Sequence, residues 1–160
     1  MILRLFRKTN AKVPKPAKTL LETPGSPSTE IVDISGGRFW YNGIGKSLYS
    51  YFRFKKLRLD EISLNISIDG LPLYNSSNMQ FWPILFNINE MPEAPVMTAA
   101  IFCGLTKPLS LSEYLGPMCA EINDLIEYGL DIAGKRVVVR LRAIIAAAQQ
   151  LPEMYYKRAL

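Results

Sequence analysis

The residue best placed to do chemistry in this sequence is Asp69, an acid at the end of a strictly alternating segment. Ile62–Ile68 alternates apolar and polar residues, which predicts a β-strand with one buried face. Asp69 follows on the polar side, and we expect Gly70 to turn the chain away from the sheet. Sheet-based enzymes often hold a metal ligand or a catalytic acid at the carboxyl end of a strand. In the alternative interpretation, Asp69 and Gly70 only form a turn.

The absence of histidine excludes several types of catalytic and metal-binding site. The sequence has no histidine and two cysteines, Cys103 and Cys119, which excludes Ser-His-Asp and Cys-His catalysis and any zinc site built on imidazole. Metal chemistry would have to use carboxylates, the ligands that magnesium and manganese prefer. Two cysteines and no secretory signal predict a reduced protein of the nucleus or cytoplasm. No apolar run approaches the roughly 20 residues of a membrane-spanning helix, so no membrane association is expected.

Positive charge is concentrated near the amino terminus. Residues 1–58 contain twelve Lys or Arg and three acids, a net charge of +9, whereas residues 59–160 contain seven and eleven, a net charge of −4. The prolines among the basic residues of 1–29 predict a partly disordered arm. Lys12, Lys15 and Lys18 are candidate contacts to the phosphates of DNA. The alternative is a solvated leader whose charge only keeps it soluble.

Residues 30–58 combine a hairpin pattern with an aromatic and basic segment. Two short β-prone pieces on either side of Gly36-Gly37 predict the hairpin. In residues 46–58, Arg53, Lys55 and Lys56 alternate with aromatic residues, a composition that can bind nucleic acid through phosphate and stacking contacts. The alternative is a short helix whose rings face the core.

Three strands follow in close succession: Ile62–Ile68, about Met79–Ile88 and about Val96–Cys103. Short loops join them, so they should be antiparallel. Pro83 predicts an edge position or a bulge for the second strand.

A helix and a last strand complete the predicted order. The capping-box sequence Ser110–Glu113 begins the helix, which ends at Gly129 and has a kink or a break at Gly116-Pro117. A crossover helix makes the next strand, Arg136–Ile145, parallel to an earlier one. One face of that strand is apolar, with Val137, Val139, Leu141, Ala143 and Ile145. The other face carries further candidate contacts to nucleic acid, namely Arg136, Arg140 and Arg142.

This order predicts an α/β protein with an incomplete ribonuclease H-like fold. Three antiparallel strands, a crossover helix and a fourth strand parallel to the first would bring Asp69 close to Ala146–Ala148. One face of the sheet would carry Ser63, Asn65, Ser67, Arg140 and Arg142, residues that tolerate solvent. We therefore expect a two-layer domain of marginal stability, dimeric or dependent on a partner. The predicted organisation is a basic leader (1–58), the truncated domain (59–147) and a divergent tail (148–160).

Several short motifs resemble animal CACTA-type (En/Spm-like) transposases, in an order that spans residues 5–147. They include Lys18-Thr-Leu-Leu-Glu-Thr-Pro24, Ile66-Ser-Ile-Asp-Gly-Leu-Pro-Leu73, Gln80-Phe-Trp-Pro-Ile-Leu85, Ile101-Phe-Cys-Gly-Leu-Thr-Lys-Pro108 and Glu113-Tyr-Leu115, with Glu30-Ile31, Gly36-Gly37 and Ser76-Ser77 between them. The resemblance implies a DNA-cutting and DNA-joining enzyme in which three carboxylates hold two magnesium or manganese ions.

Asp69 matches the first of those carboxylates, and the match ends there. The family's second carboxylate lies in a segment resembling Ala-Asp-Ala-Pro-Ala-Arg, where this chain has Ala146-Ala-Ala-Gln-Gln150, and the third would lie beyond Leu160. The resemblance thus implies a transposase-derived fragment that is catalytically incompetent, binds no metal tightly and retains DNA affinity. Two alternatives stay open. One is an active nuclease whose missing acids come from another chain, and the other is a protein-interaction or structural module.

Overall fold

The computed structural model describes residues 30–53, 55, 57–74 and 77–146, which form a mixed α/β fold. The strands in this part are β1 (Ile31–Ile34), β2 (Gly37–Tyr41), β3 (Glu61–Ile68), β4 (Leu71–Tyr74), β5 (Ser77–Ile88), β6 (Met97–Gly104), β7 (Leu130–Ile132) and β8 (Lys135–Ala146). The helices are α1 (Ile44–Phe52) and α2 (Leu111–Tyr128). Neither of these two helices is long and apolar enough to cross a membrane.

The strands form one curled sheet in the order β1-β2-β6-β5-β3-β8-β7, and β4 pairs with β5. β3, β5 and β6 are antiparallel neighbours, and β8 returns after α2 to lie parallel to β3. The predicted antiparallel strands, crossover helix and parallel last strand are therefore confirmed. The hairpin predicted around Gly36-Gly37 is also present, as β1 and β2. Two short strands, β4 and β7, were not predicted.

The core lies between one face of the sheet and both helices. Alternate residues of β3 are buried on that face, and they share one core with apolar side chains of α1 and α2. The helices contribute Ile44, Leu48 and Phe52 from α1 and Tyr114, Leu115, Met118, Ile122 and Leu125 from α2. The described fold therefore has two layers, as predicted. We call the other side of the sheet, which carries Ser63, Asn65 and Ser67, the open face.

β3 and β4 form one line of backbone along β5. The register that pairs Ile68 with Ile84 resumes unchanged where Leu71 pairs with Phe81. Asp69 consequently lies opposite Pro83, which has no N–H to donate, and the ladder is interrupted there. The predicted edge position of Pro83 is wrong, because β5 has a neighbour on each side. A bulge lies nearby, but in the neighbouring strand: Ala99 of β6 is an extra residue between those that pair with Ile84 and with Leu85.

Gly70 is required by packing rather than by a turn. The continuous register places it opposite Trp82, and a Cβ added to Gly70 would lie 2.6 Å from Cζ2 of the indole. Among the described residues, Gly70 is not one of those with a positive φ, so its backbone conformation does not require glycine. The prediction that Gly70 turns the chain away is wrong, because the strand continues and the indole occupies the space of a side chain.

A bulge in β8 reverses the predicted faces at its carboxyl end. Arg142 is an extra residue between those that pair with Leu64 and with Asn65. Ala143 and Ile145 therefore lie on the open face, not on the core face where strict alternation placed them. A bulge shifts the two-residue period by one, which the alternation pattern does not reveal.

α2 begins at the predicted cap and continues through its proline. The side chain of Ser110 accepts a 3.3 Å hydrogen bond from the N–H of Glu113. The Glu113 carboxylate does not complete the capping box; it accepts a 2.8 Å hydrogen bond from the N–H of Ser35. Hydrogen bonding by Ser35 lowers the pKa of Glu113 below its ordinary value. The helix has no break at Pro117 and ends at Gly129, where φ is 70°.

Candidate functional site

Asp69 lies on the open face, in the gap between β3 and β4. Its side chain is exposed, and its Oδ1 accepts a 2.8 Å hydrogen bond from the N–H of Gly70. An exposed carboxylate with one neighbouring amide donor can receive a ligand from solvent. The position predicted for the first catalytic carboxylate is thus accessible.

The carboxyl ends of β3 and β8 lie side by side. Ile68, the residue before Asp69, pairs with Ala146, the last described residue of β8. The predicted adjacency of the two strands therefore holds up to the end of the described chain. Ala147 and Ala148, which match the segment of the second carboxylate, lie outside the described residues.

The described side chains do not provide a ligand set for two metal ions. Among them, no group of three or more Asp, Glu, Cys or His side chains could hold a metal. Asp69 alone offers two carboxylate oxygens, whereas two-metal centres hold both ions with several shared carboxylates. The described residues therefore do not fit the centre that the transposase resemblance implies.

A small cavity lies beside the same strand ends. It is lined by Ile68, Trp82, Lys107, Tyr114 and Ala146 among others, and its volume is about 20 Å³. This is space for about one water molecule and too little for a nucleotide. The hydroxyl of Tyr114 donates a 3.0 Å hydrogen bond to the carbonyl of Trp82, and burial raises the pKa of that hydroxyl.

The aromatic and basic segment has features of both interpretations given above. Phe52 of α1 is in the core, whereas Tyr49 is exposed, so the rings do not all face inward. Arg53 directly follows α1, and Nζ of Lys55 lies 4.1 Å from the centroid of the Tyr51 ring. The remaining predicted contacts of the leader lie outside the described residues, namely Lys12, Lys15, Lys18 and Lys56.

The three arginines of β8 are exposed, and each has a partner. Arg136 donates to the carbonyl of Tyr128, Arg140 pairs with Glu61 over 2.7 Å, and Nη1 of Arg142 donates to Oδ1 of Asn65 over 3.0 Å. Only Arg140 has an acid as its partner in these contacts. Arg136 and Arg142 bind neutral oxygens and keep a net positive charge.

The described part of the chain is not basic as a whole. It contains ten Lys or Arg and twelve Asp or Glu, a net charge of −2, although the whole sequence has a net charge of +5. The positive charge that favours an anionic partner therefore belongs mainly to residues outside the described part, above all residues 1–29.

Glu121 forms a polar site that the sequence did not point to. Its carboxylate accepts hydrogen bonds from the N–H of Ile44 (2.8 Å), the N–H of Gly45 (2.9 Å) and the hydroxyl of Tyr41. Gly43 at the N-cap of α1 has no side chain to bind these amides, so Glu121 caps α1 from α2. Burial, with the hydrogen bond and the charge of Glu121, raises the pKa of the Tyr41 hydroxyl. With three donors, this carboxylate is a structural anchor.

One signal could have indicated this anchor. Glu121 lies three residues after Met118 and four before Leu125, both of which are buried, so an acid interrupts the apolar stripe of α2. A carboxylate at such a position needs donors from a neighbouring element. The sequence does not say which element supplies them.

Comparisons with known proteins do not identify the chain. A scan against protein-family models, a search of characterised proteins and a search of solved structures each gave no match.

Proposed function

We propose that this chain derives from a CACTA-type transposase and carries the first part of a ribonuclease H-like domain. In this proposal it binds DNA without cutting it, and it acts in the nucleus. The observation that supports this best is the pairing of β8 with β3 in the parallel direction, which brings Ala146 beside Ile68.

The arrangement of the sheet supports the proposed ancestry. Three antiparallel strands, a crossover helix and a parallel fourth strand are the opening elements expected of a ribonuclease H-like domain. Asp69, the residue that matches the family's first carboxylate, follows directly on the pair formed by Ile68 and Ala146.

The identity of the neighbouring residues supports the proposed lack of cleavage. Where the family is expected to have its second carboxylate, this sequence has Ala146-Ala147-Ala148. A methyl group binds no metal ion, and a single carboxylate binds a divalent cation only weakly in water. We infer that the magnesium or manganese of the ancestral enzyme is not bound tightly by this chain alone.

The charge distribution supports DNA binding through the leader. Lys12, Lys15 and Lys18 fall in a stretch that has no acid before Glu22, whereas the described part has a net charge of −2. The arginines of β8 add a weaker contribution, because Arg140 is neutralised by Glu61. DNA affinity should therefore depend mainly on the lysines.

Fluorescence anisotropy with a labelled DNA duplex tests this proposal. The logarithm of the association constant should fall linearly with the logarithm of the salt concentration, by about 0.9 per phosphate contacted. Replacing Lys12, Lys15 and Lys18 by alanine should reduce that slope by roughly 2.7, the equivalent of three contacts. The matched control, alanine at Arg136, Arg140 and Arg142, removes the same number of charges and should reduce the slope less. Absence of binding at about 50 mM salt would overturn the DNA-binding proposal.

A protein-interaction module is the second candidate, and one observation favours it. Apolar side chains of the open face are exposed, including Ile145 and Leu71. Exposed apolar patches on a folded domain commonly mark protein–protein contacts. This role does not exclude DNA binding by the leader.

A further inference from the structure

The open face has an apolar patch that the described residues do not cover. Its members include Val96 (63%), Ile145 (61%), Leu71 (53%) and Phe81 (37%). Val96, Leu85 and Ile145 line a shallow groove of about 250 Å³ together with Ser67 and Asn87. The open face is therefore more apolar than the polar residues of β3 and β8 predicted. The reasons are that the bulge at Arg142 turns Ile145 to this face and that β4 and β5 present Leu71 and Phe81 on it.

Two opposite charges lie on this face on either side of Ser67. Asp69 is two residues beyond Ser67 along β3, and Asn65, which binds the guanidinium of Arg142, is two residues before it. At about 3.3 Å per residue, Asp69 and Asn65 are each roughly 7 Å from Ser67 along this line of backbone. Lys135–Asp60 and Arg140–Glu61 are ion pairs at the other end of β3 and β8, and neither includes Asp69 or Arg142. In the contacts of the described residues, Asp69 binds the N–H of Gly70 and Arg142 binds the amide oxygen of Asn65, so both partners are neutral.

We propose that the open face binds the open face of a second copy of this chain. The two-fold axis would lie between the two sheets, perpendicular to the strands and over the row formed by Ile145, Ser67 and Leu85. The β3 strands of the two copies would then lie over each other and run in opposite directions. Asp69 of each copy would then face Arg142 of the other, and the apolar residues of the row itself, Ile145 and Leu85, would pack against their counterparts. This is the face-to-face packing of a β-sandwich, with sheets about 10 Å apart.

The charge pattern is the reason for choosing a second copy as the partner. A face with a negative charge on one side of its centre and a positive charge on the other is complementary to itself under this rotation. A nucleic acid would instead need positive charge across the whole face. The proposal goes beyond the proposed DNA binding, which depends on the leader, and it is tested without DNA.

Sedimentation equilibrium of the full chain, with charge-reversed variants, tests the dimer. Asp69→Arg or Arg142→Asp alone would replace two attractive pairs by two repulsive ones, because each substitution occurs in both copies. Each should raise the dissociation constant of the dimer by about tenfold or more. The double variant, D69R with R142D, restores opposite charges and should return the constant to within about threefold of the wild-type value.

Two further variants complete the experiment. Asp124→Arg, on the exposed surface of α2, changes the net charge as Asp69→Arg does and should leave the dimer unchanged. Ile145→Lys places a charge in the apolar row and should weaken the dimer as the single reversals do. A chain that is monomeric at about 100 μM would overturn the proposal, since a specific contact of this kind should associate well below that concentration. The proposal would also be overturned if the double variant had a dissociation constant as high as the single variants. The same holds if none of these substitutions changed the dissociation constant.

Discussion

Removing the Glu121 carboxylate should destabilise the described fold far more than removing an exposed acid does. Glu121→Ala leaves the N–H groups of Ile44 and Gly45 without their acceptor and takes one from the hydroxyl of Tyr41. Hydrogen bonds to charged groups contribute about 1.5–3 kcal/mol each, and loss of a helix cap costs about 0.5–2 kcal/mol.

The expected loss is smaller than the sum of these contributions. The site is only partly buried, so water can replace part of the carboxylate. The Tyr41 hydroxyl also has a second acceptor, the carbonyl of Pro117 at 3.3 Å. We therefore expect Glu121→Ala to lower the free energy of unfolding by about 3 kcal/mol. Glu121→Gln, which keeps one acceptor oxygen, should lower it by about half as much.

Urea denaturation followed by circular dichroism measures this loss. For a denaturant slope of about 2 kcal/mol per molar, a loss of about 3 kcal/mol moves the midpoint down by about 1.5 M. Asp124→Ala, an exposed acid on the same helix, should change the free energy of unfolding by less than about 0.5 kcal/mol. If Glu121→Ala behaved like this control, the carboxylate would not be capping α1 and the reasoning would be refuted.

Two further predictions concern Tyr114 and Gly70. Tyr114→Phe removes the hydrogen bond to the Trp82 carbonyl and should cost about 1 kcal/mol near pH 7. Because burial raises the pKa of Tyr114 in the folded state, the wild type loses stability relative to this variant above about pH 10, by about 1.4 kcal/mol per pH unit. Urea titrations from pH 7 to alkaline pH should show the two stabilities converging, and a constant difference would contradict this. Gly70→Ala pushes a methyl group into the Trp82 indole and should cost about 1–3 kcal/mol in thermal unfolding. That cost should shrink in a Trp82→Phe background, and an equal cost in both backgrounds would show that the indole is not responsible.

Local patterns predicted much of the fold. Two elements show their buried face in the spacing of their own apolar residues. They are the alternating strand Ile62–Ile68 and the helix between Ser110 and Gly129. The parallel return of β8 followed from the single long helix before it. The bulge at Arg142 depends on how a strand fits its neighbour, which a single strand's pattern does not contain. β7 has only three residues, too few to show a period.

The candidate site was less predictable than the fold. Asp69 directly follows Ile68, which pairs with Ala146, the last described residue of β8. The turn predicted at Gly70 is wrong because the role of Trp82, twelve residues away, becomes visible only through the register of β5. The capping role of Glu121 joins residues 76 and 77 positions apart in the sequence. Such partners are set by tertiary packing, and no local signal specifies them.

Incubation of supercoiled plasmid with the purified chain and manganese tests the central proposal most directly. The chain should bind the plasmid at low salt and leave it supercoiled. The reason is that the sequence has Ala146–Ala148 where a second carboxylate is expected beside Asp69. Asp69→Asn should then behave as the wild type does. Nicking of the plasmid by the wild type, abolished in Asp69→Asn, would contradict the account and show that this chain retains an active metal centre.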